Sequence, residues 1–269
     1  MSLSHLRPLS FGEILDGAFV LYRRHFAVFF TTAIIPLLPV ALVWGAFGFV
    51  TGGATELTAA TSALLVAVYP VMIVGSLLMW GALIHETARA VEGGAVDRGE
   101  AYRASFRRML PLLGASILFM ILVVLGTLLL VIPGILAMLA LFATWHAVMI
   151  EGKGPVAALS RSRELARGAW LRILGIMVVS YIIIMIPSML VGATAGAAMV
   201  GAALSSGDPD AVEGTMGLFS AVTNVLSILL SALTTPFMTA ALTLLYYDRR
   251  VRTEALDLEM ATERLGATV

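Results

Sequence analysis

The stretch that decides the fold is MLPLLGASILFMILVVLGTLLLVIPGILAMLALFATWHAVMI, residues 109–150, which holds no Asp, Glu, Lys or Arg over 42 positions. A helix needs roughly 20 apolar residues to cross about 30 Å of hydrocarbon, so this run suffices for two crossings. Ile132-Pro133-Gly134 near its middle is a turn signal. The run therefore predicts a helical hairpin through a bilayer.

Four further uncharged runs, 26–55, 57–84, 173–207 and 214–247, are each long enough for a crossing. Hydrophobic residues make up 59% of the chain and charged residues 13%, with a mean hydropathy of +0.97. Soluble domains run near 45–50% apolar and about 25% charged, so the composition is that of a membrane protein. There is no cysteine, which excludes disulfide and thiolate chemistry and leaves the redox compartment undetermined. The first 25 residues are polar or amphipathic and lack a short apolar core with a small-residue cleavage site, so the first span is expected to be retained. Arginine outnumbers lysine 16 to 1, a bias that suggests a GC-rich bacterial genome and hence a bacterial inner membrane.

Charge sets the span count. Six spans at about 26–50, 62–84, 110–131, 134–150, 173–200 and 217–247 put all 17 basic residues on the side of the N-terminus. Arg7, Arg23 and Arg24 precede span 1; Arg89, Arg98, Arg103, Arg107 and Arg108 follow span 2. Lys153, Arg161, Arg163, Arg167 and Arg172 follow span 4, and Arg249, Arg250, Arg252 and Arg264 follow span 6. The opposite side carries Glu56, Asp208, Asp210 and Glu213. Basic residues near span ends are retained in the cytoplasm. The expectation is an all-α polytopic protein, a single membrane domain over 1–269 with three hairpins, both termini cytoplasmic and a cytoplasmic tail at 248–269.

Each hairpin is preceded by a helix start. Ser10 and Glu13 form an S-x-x-E capping box, with Leu9 and Ile14 placed for a hydrophobic staple. Asp97 and Glu100 repeat the logic, and Gly154-Pro155 offers proline at a first helical position. Amphipathic interfacial helices are thus expected at about 10–24, 97–109 and 154–170, ending in arginines. Such helices lie in the headgroup plane with arginines near anionic lipid. The residues expected to contact headgroups are Arg23, Arg24, Arg107, Arg108, Arg161, Arg163, Arg167, Arg249, Arg250 and Arg252.

Motifs that could carry chemistry each have a plainer reading. Glu13 and Asp16, followed by Gly17, resemble a fragment of the D-x-x-D-G signature of CDP-alcohol phosphotransferases. A hard cation needs more oxygen ligands than two carboxylates supply, and the next acid is Glu56 on the far side. The pair therefore reads as a cap and an exposed neighbour. The HETAR sequence at 85–89 has Arg89 where a zincin has its second histidine, and reads as a polar cluster at the inner end of span 2. His146 reads as an interfacial residue. No Asp, Glu, Lys or Arg falls within the six spans, which argues against proton coupling. Asn224, Ser227, Thr234 and Thr235 are expected to make interhelical hydrogen bonds. Prolines 36, 39, 70, 187 and 236 interrupt spans, and Gly192, Gly196 and Gly201 suit close helix packing. No catalytic residue, metal ligand or cofactor site is expected.

Three segments, RPLSFGEILDGAFVLYRRHF from Arg7, IEGKGPVAALSRSRELARG from Ile150 and LLYYDRRVRTEALDLE from Leu244, resemble the membrane domain attached to some bacterial glycerophosphoryl diester phosphodiesterases and also found alone. In that family the hydrolase is a separate barrel, for which six spans leave no room. The resemblance implies architectural weight for Glu13, Asp16, Arg23, Glu151, Tyr247, Asp248, Arg250 and Arg252. Together with the caps, the architectural set is Ser10, Glu13, Asp16, Asp97, Glu100, Glu151, Tyr247 and Asp248. The expected function is a non-enzymatic membrane scaffold or partner-binding component. Its partners are anionic membrane lipids and a membrane protein or a second copy, not nucleic acid. The alternatives are a transporter or channel for a small or lipid-like solute, and a membrane enzyme of phospholipid headgroups.

Overall fold

In the computed structural model, which describes residues 8–50, 59–206 and 209–254, the 109–150 run folds as α5 (Met109–Leu129), α6 (Val131–Ala140) and α7 (Thr144–Met149). The hairpin turns on one extended residue, Leu130, at φ −168° and ψ 152°. This is slightly earlier than Ile132-Pro133-Gly134, because Pro133 is accommodated in the first turn of α6, where its missing N–H leaves no bond unmade. The arms approach through glycine: a Cβ on Gly126 would lie 3.1 Å from the Gly134 Cα. Any side chain there would force the helices apart.

The other elements are α1 (Phe11–Arg24), α2 (Phe26–Val50), α3 (Ala59–Val91), α4 (Arg98–Arg107), α8 (Pro155–Ala166), α9 (Trp170–Ser206) and α10 (Pro209–Glu254). Among the described residues there is no strand. Among the described residues, five helices are long and apolar enough to cross a membrane, counting α6 and α7 as one, and six if α1 with the start of α2, bent by 83°, counts as a broken span. Helices α3 and α10 outrun their apolar runs at their C-terminal ends. Helix α3 continues to Val91 with Glu86 and Arg89, and α10 continues to Glu254 through the Asp248–Arg252 charges.

The chain divides into two compact units: Met1–Phe29, Leu77–Ser180 and Pro236–Val269 make the first, and Phe30–Ser76 with Tyr181–Thr235 the second. In the second, Gly75 of α3 lets the Pro36 carbonyl of α2 approach, 3.4 Å from where a Cβ would stand. Thr234, expected to bond across helices, donates instead to the Leu230 carbonyl of its own helix at 2.9 Å. This back-bond satisfies the hydroxyl locally. Asn224 is half-buried and Ser227 exposed.

The first unit holds the core. The apolar stripe of α1, Ile14, Ala18 and Leu21, is buried with Leu244, Leu245 and Tyr246 of α10 and Ile173 and Ile176 of α9. A second cluster joins Leu112 and Ala115 of α5 to Ala147 and Val148 of α7 and Ala158 and Leu159 of α8. Of the α1 face that the sequence alone would give to lipid, Phe11, Ile14, Leu15, Ala18, Phe19 and Tyr22, protein covers Ile14 and Ala18 fully and Leu15 and Tyr22 in part, while Phe11 is exposed. Phe19 and Val20 also stay exposed.

All three helix starts have the local chemistry their residues imply. Ser10 Oγ accepts the Glu13 N–H at 3.3 Å and the Glu13 carboxylate accepts the Ser10 N–H at 2.6 Å. Asp97 accepts the Glu100 N–H at 2.7 Å, and α8 opens with Gly154 as cap and Pro155 in its first turn. Asp16 is exposed. Ser10→Ala is expected to cost about 1 kcal/mol and Asp16→Ala about 0.5 kcal/mol or less, measured as unfolding of the full chain in mild detergent.

The break at 141–143 leaves backbone groups that only another element can satisfy inside a bilayer. Ser162 of α8 does so: its hydroxyl accepts the Ala143 N–H and donates to the Ala140 carbonyl, both at 2.9 Å. Thr144 caps from the other side, its hydroxyl donating to the Leu141 carbonyl at 2.8 Å. Ser162→Ala therefore strands the buried Ala143 N–H and the half-buried Ala140 carbonyl and is expected to destabilise by about 2–3 kcal/mol, with Ser162→Thr closer to wild type in the same assay.

Candidate functional site at the charged end of the first unit

Helix α10 is buried almost continuously from Pro236 to Arg249 and ends in two ion pairs at helical spacing, Asp248 with Arg252 and Arg250 with Glu254. These are i,i+4 neighbours on one face. Around them the first unit builds two linked polar centres.

The first is Asp248, whose side chain is fully buried. It accepts the Leu9 N–H at 2.8 Å and the Arg252 Nε at 3.0 Å, and pairs with Arg172 of α9 at 3.2 Å. The Leu9 carbonyl in turn accepts from Arg252 at 2.7 Å and from Arg172. One residue ahead of α1 is thus held through both its N–H and its carbonyl, which joins three distant parts of the chain. A dry carboxylate is tolerable only with such a set of partners.

The second is Glu151, between α7 and α8. It accepts both from Arg161 Nε, at 2.9 and 3.0 Å, and from the Tyr246 hydroxyl, with Lys153 at 3.4 Å and Arg250 at 3.8 Å. Burial alone would raise its carboxyl. The hydrogen bonds from Tyr246 and Arg161 and the charges of Arg161 and Arg250 outweigh that and hold it below the usual carboxylate range. Arg161 also pairs with Glu254 and with Glu164, at 3.6 Å to the latter. Burial opposes the Arg161 charge, but its hydrogen bonds and charge contacts with Glu151 and Glu254 push it above the usual guanidinium value.

Aromatic rings of α10 lie beside the Glu151 centre, with Tyr246 meeting Tyr247 edge-on at a centroid distance of 5.6 Å. Tyr247 donates to Glu92 at 2.9 Å, and Tyr246 stacks on His146 with ring centroids 5.6 Å apart. His146 is buried rather than interfacial, and neither ring nitrogen has a hydrogen-bond partner. Within HETAR, His85 lies 3.9 Å from the Glu100 carboxylate. Among the described residues no three His, Asp or Glu side chains converge as a metal site would need.

The arginines grouped by sequence as one rim fall into two sets. Arg108 donates to the Gly152 carbonyl at 2.9 Å. Arg249 is buried and donates to the carbonyls of Leu165 and Arg167, at 2.8 and 3.0 Å. That leaves its guanidinium engaged by protein where a headgroup contact was expected. Arg161, Arg250 and Arg252 stand in the ion pairs above. Arg23, Arg24, Arg107, Arg163 and Arg167 are exposed. The site residues expected from the sequence do not include Arg172, Glu254, Tyr246 or Ser162. Glu254 was signalled by its i,i+4 spacing to Arg250; the others depend on contacts between distant segments.

This arrangement, an all-helical chain with several bilayer-length apolar helices and a charged end, defines a multi-pass membrane protein. The family described as a domain of unknown function, DUF7847, matches residues 101–248, more than half of the chain, and the chain belongs to that family. The match runs from α4 to Asp248 and so includes Glu151, Arg161, Ser162, Arg172 and Tyr246. No curated protein and no solved structure matches the chain.

Proposed function

We propose that the protein is a non-enzymatic, six-span component of a bacterial inner membrane with both termini cytoplasmic. It serves as a scaffold or partner-binding component whose basic cytoplasmic rim engages anionic lipid. The observation that carries this reading is that six spans put all 17 basic residues on one side, in keeping with cytoplasmic retention of positive charge. The exposed Arg23, Arg24, Arg107, Arg163 and Arg167 are the ones left to face headgroups. Kinship with the membrane domain of glycerophosphoryl diester phosphodiesterases belongs to this proposal and rests on the three segments quoted above.

The test is reconstitution of the full chain in phosphatidylcholine vesicles with increasing phosphatidylglycerol. Stability is expected to rise with the anionic fraction and to fall back with salt, since surface charge is screened within about 10 Å at 0.1 M. No dependence on either would remove the lipid rim. Purification from native membranes in mild detergent should retain a stoichiometric protein partner. A second reading, a carrier of a lipid-like solute, draws on the α6–α7 break, since broken spans build transporter sites. Solute flux or lipid scrambling by the reconstituted chain alone would favour it.

A further inference from the structure

Helix α8 ends at Ala166, and Gly168, at φ +70°, turns the chain into α9 at Trp170. Beside this corner, entirely within the first unit, lies a cavity of about 430 Å³. Its wall is apolar, from Leu122 of α5, Leu136 of α6 and Leu141 at the helix break, and Arg163, Arg167 and Trp170 also line it. Leu122 and Leu136 lie on bilayer-length helices and are 43% and 45% exposed, so the cavity opens on the surface that such helices turn to lipid.

The charges there are unbalanced. Arg163 in the last turn of α8 and Arg167 at its C-cap both line the cavity, which sets two like charges against one apolar pocket. Neither has a carboxylate within 4.0 Å among the described residues; the neighbouring Glu164 is paired with Arg161. Elsewhere in the first unit, arginines turned inward have partners, as Arg161, Arg172 and Arg252 do. An anion between the two guanidiniums would relieve the repulsion, and planar guanidinium forks suit phosphate oxygens. Trp170, at the first turn of a spanning helix, has the amphipathic ring enriched at the membrane interface.

We propose that this corner is a binding site for an anionic phospholipid, with the headgroup phosphate held by Arg163 and Arg167 beside Trp170 and an acyl chain laid along Leu122, Leu136 and Leu141. The site deepens the lipid-rim reading and rests on it. It differs from a diffuse rim by selecting one lipid at one groove.

The test uses the full chain in phosphatidylcholine vesicles containing a small fraction of lipid brominated on the acyl chain, either phosphatidylglycerol or phosphatidylcholine. Quenching of Trp170 is taken as the part of the signal lost in Trp170→Phe. Brominated phosphatidylglycerol is expected to quench Trp170 with at least about tenfold preference over brominated phosphatidylcholine, the order two arginines supply against an anionic headgroup. R163Q/R167Q should abolish the preference. L136F, which fills the groove without changing charge or adding a tryptophan, should abolish it too. R23Q/R24Q/R107Q should weaken the overall dependence of stability on phosphatidylglycerol and leave the Trp170 preference intact.

Equal quenching by the two lipids, with the overall anionic dependence still present, would overturn the groove and leave the rim standing. Loss of both would overturn the two together. Displacement of the brominated lipid by excess inorganic phosphate would assign the arginines to a free anion and overturn the lipid site.

Discussion

Replacing Asp248 with alanine is expected to cost about 3–5 kcal/mol, the range for breaking a buried ion pair by removing one partner. In mild detergent the unfolding temperature should fall by roughly 10 °C. The magnitude follows from what is left behind: the Leu9 N–H loses its acceptor, and Arg172 and Arg252 lose the carboxylate between them. Asp248→Asn keeps an acceptor for Leu9 and should fall between wild type and alanine. Because the three groups form one network, Asp248→Ala and Arg172→Ala should combine with less than additive cost. Hydrogen exchange gives a local readout, since the Leu9 amide should lose protection in Asp248→Ala. An Asp248→Ala chain as stable as wild type would show that this centre does not hold α1.

The second large effect is at Glu151, and it depends on pH. Its folded-state carboxyl is held below the usual range, so it contributes stability that is fully present above the unfolded value of about 4.3. That contribution is lost as pH falls through the lower, folded value. Wild type should therefore lose stability with acid over a window beginning near pH 4.3 and extending below it. In Glu151→Gln that part of the acid slope should vanish, and at neutral pH the variant should be destabilised by about 3 kcal/mol, because Arg161 keeps a half-buried charge without its main acceptor. Thermal unfolding of both chains at neutral and acid pH measures the difference. Parallel slopes would mean that Glu151 is not a titrating strut.

Much of this architecture is legible in the residues themselves. The runs between charges locate the apolar helices, and local codes such as Ser10 with Glu13, Asp97 with Glu100 and Gly154 with Pro155 mark three helix starts within a residue or two. These are short-range effects, fixed by side chains three or four positions apart. What the residues do not reveal is which face of an amphipathic helix meets lipid and which meets protein. The stripe of Ile14, Ala18 and Leu21 has the same period in both cases, and only the presence of α10 decides. The arginines follow the same rule. Arg249 and Arg163 look equivalent as members of a basic rim, yet one is spent on carbonyls of the α8 corner and the other is left exposed. The span near 134–150 reads as one helix because nothing in Leu141-Phe142-Ala143 breaks it; the break is held by Ser162, twenty residues on in round terms, through tertiary contact.

The central claim is that every basic residue, and with it the charged end of the first unit, faces the cytoplasm. The absence of native cysteine makes substituted-cysteine labelling a direct test in intact cells, with a membrane-impermeant maleimide as probe. Ala95→Cys and Ser160→Cys should label only after permeabilisation, and Asp210→Cys should label from outside without it. Labelling of Ala95→Cys or Ser160→Cys in intact cells would contradict the six-span, both-termini-inside account.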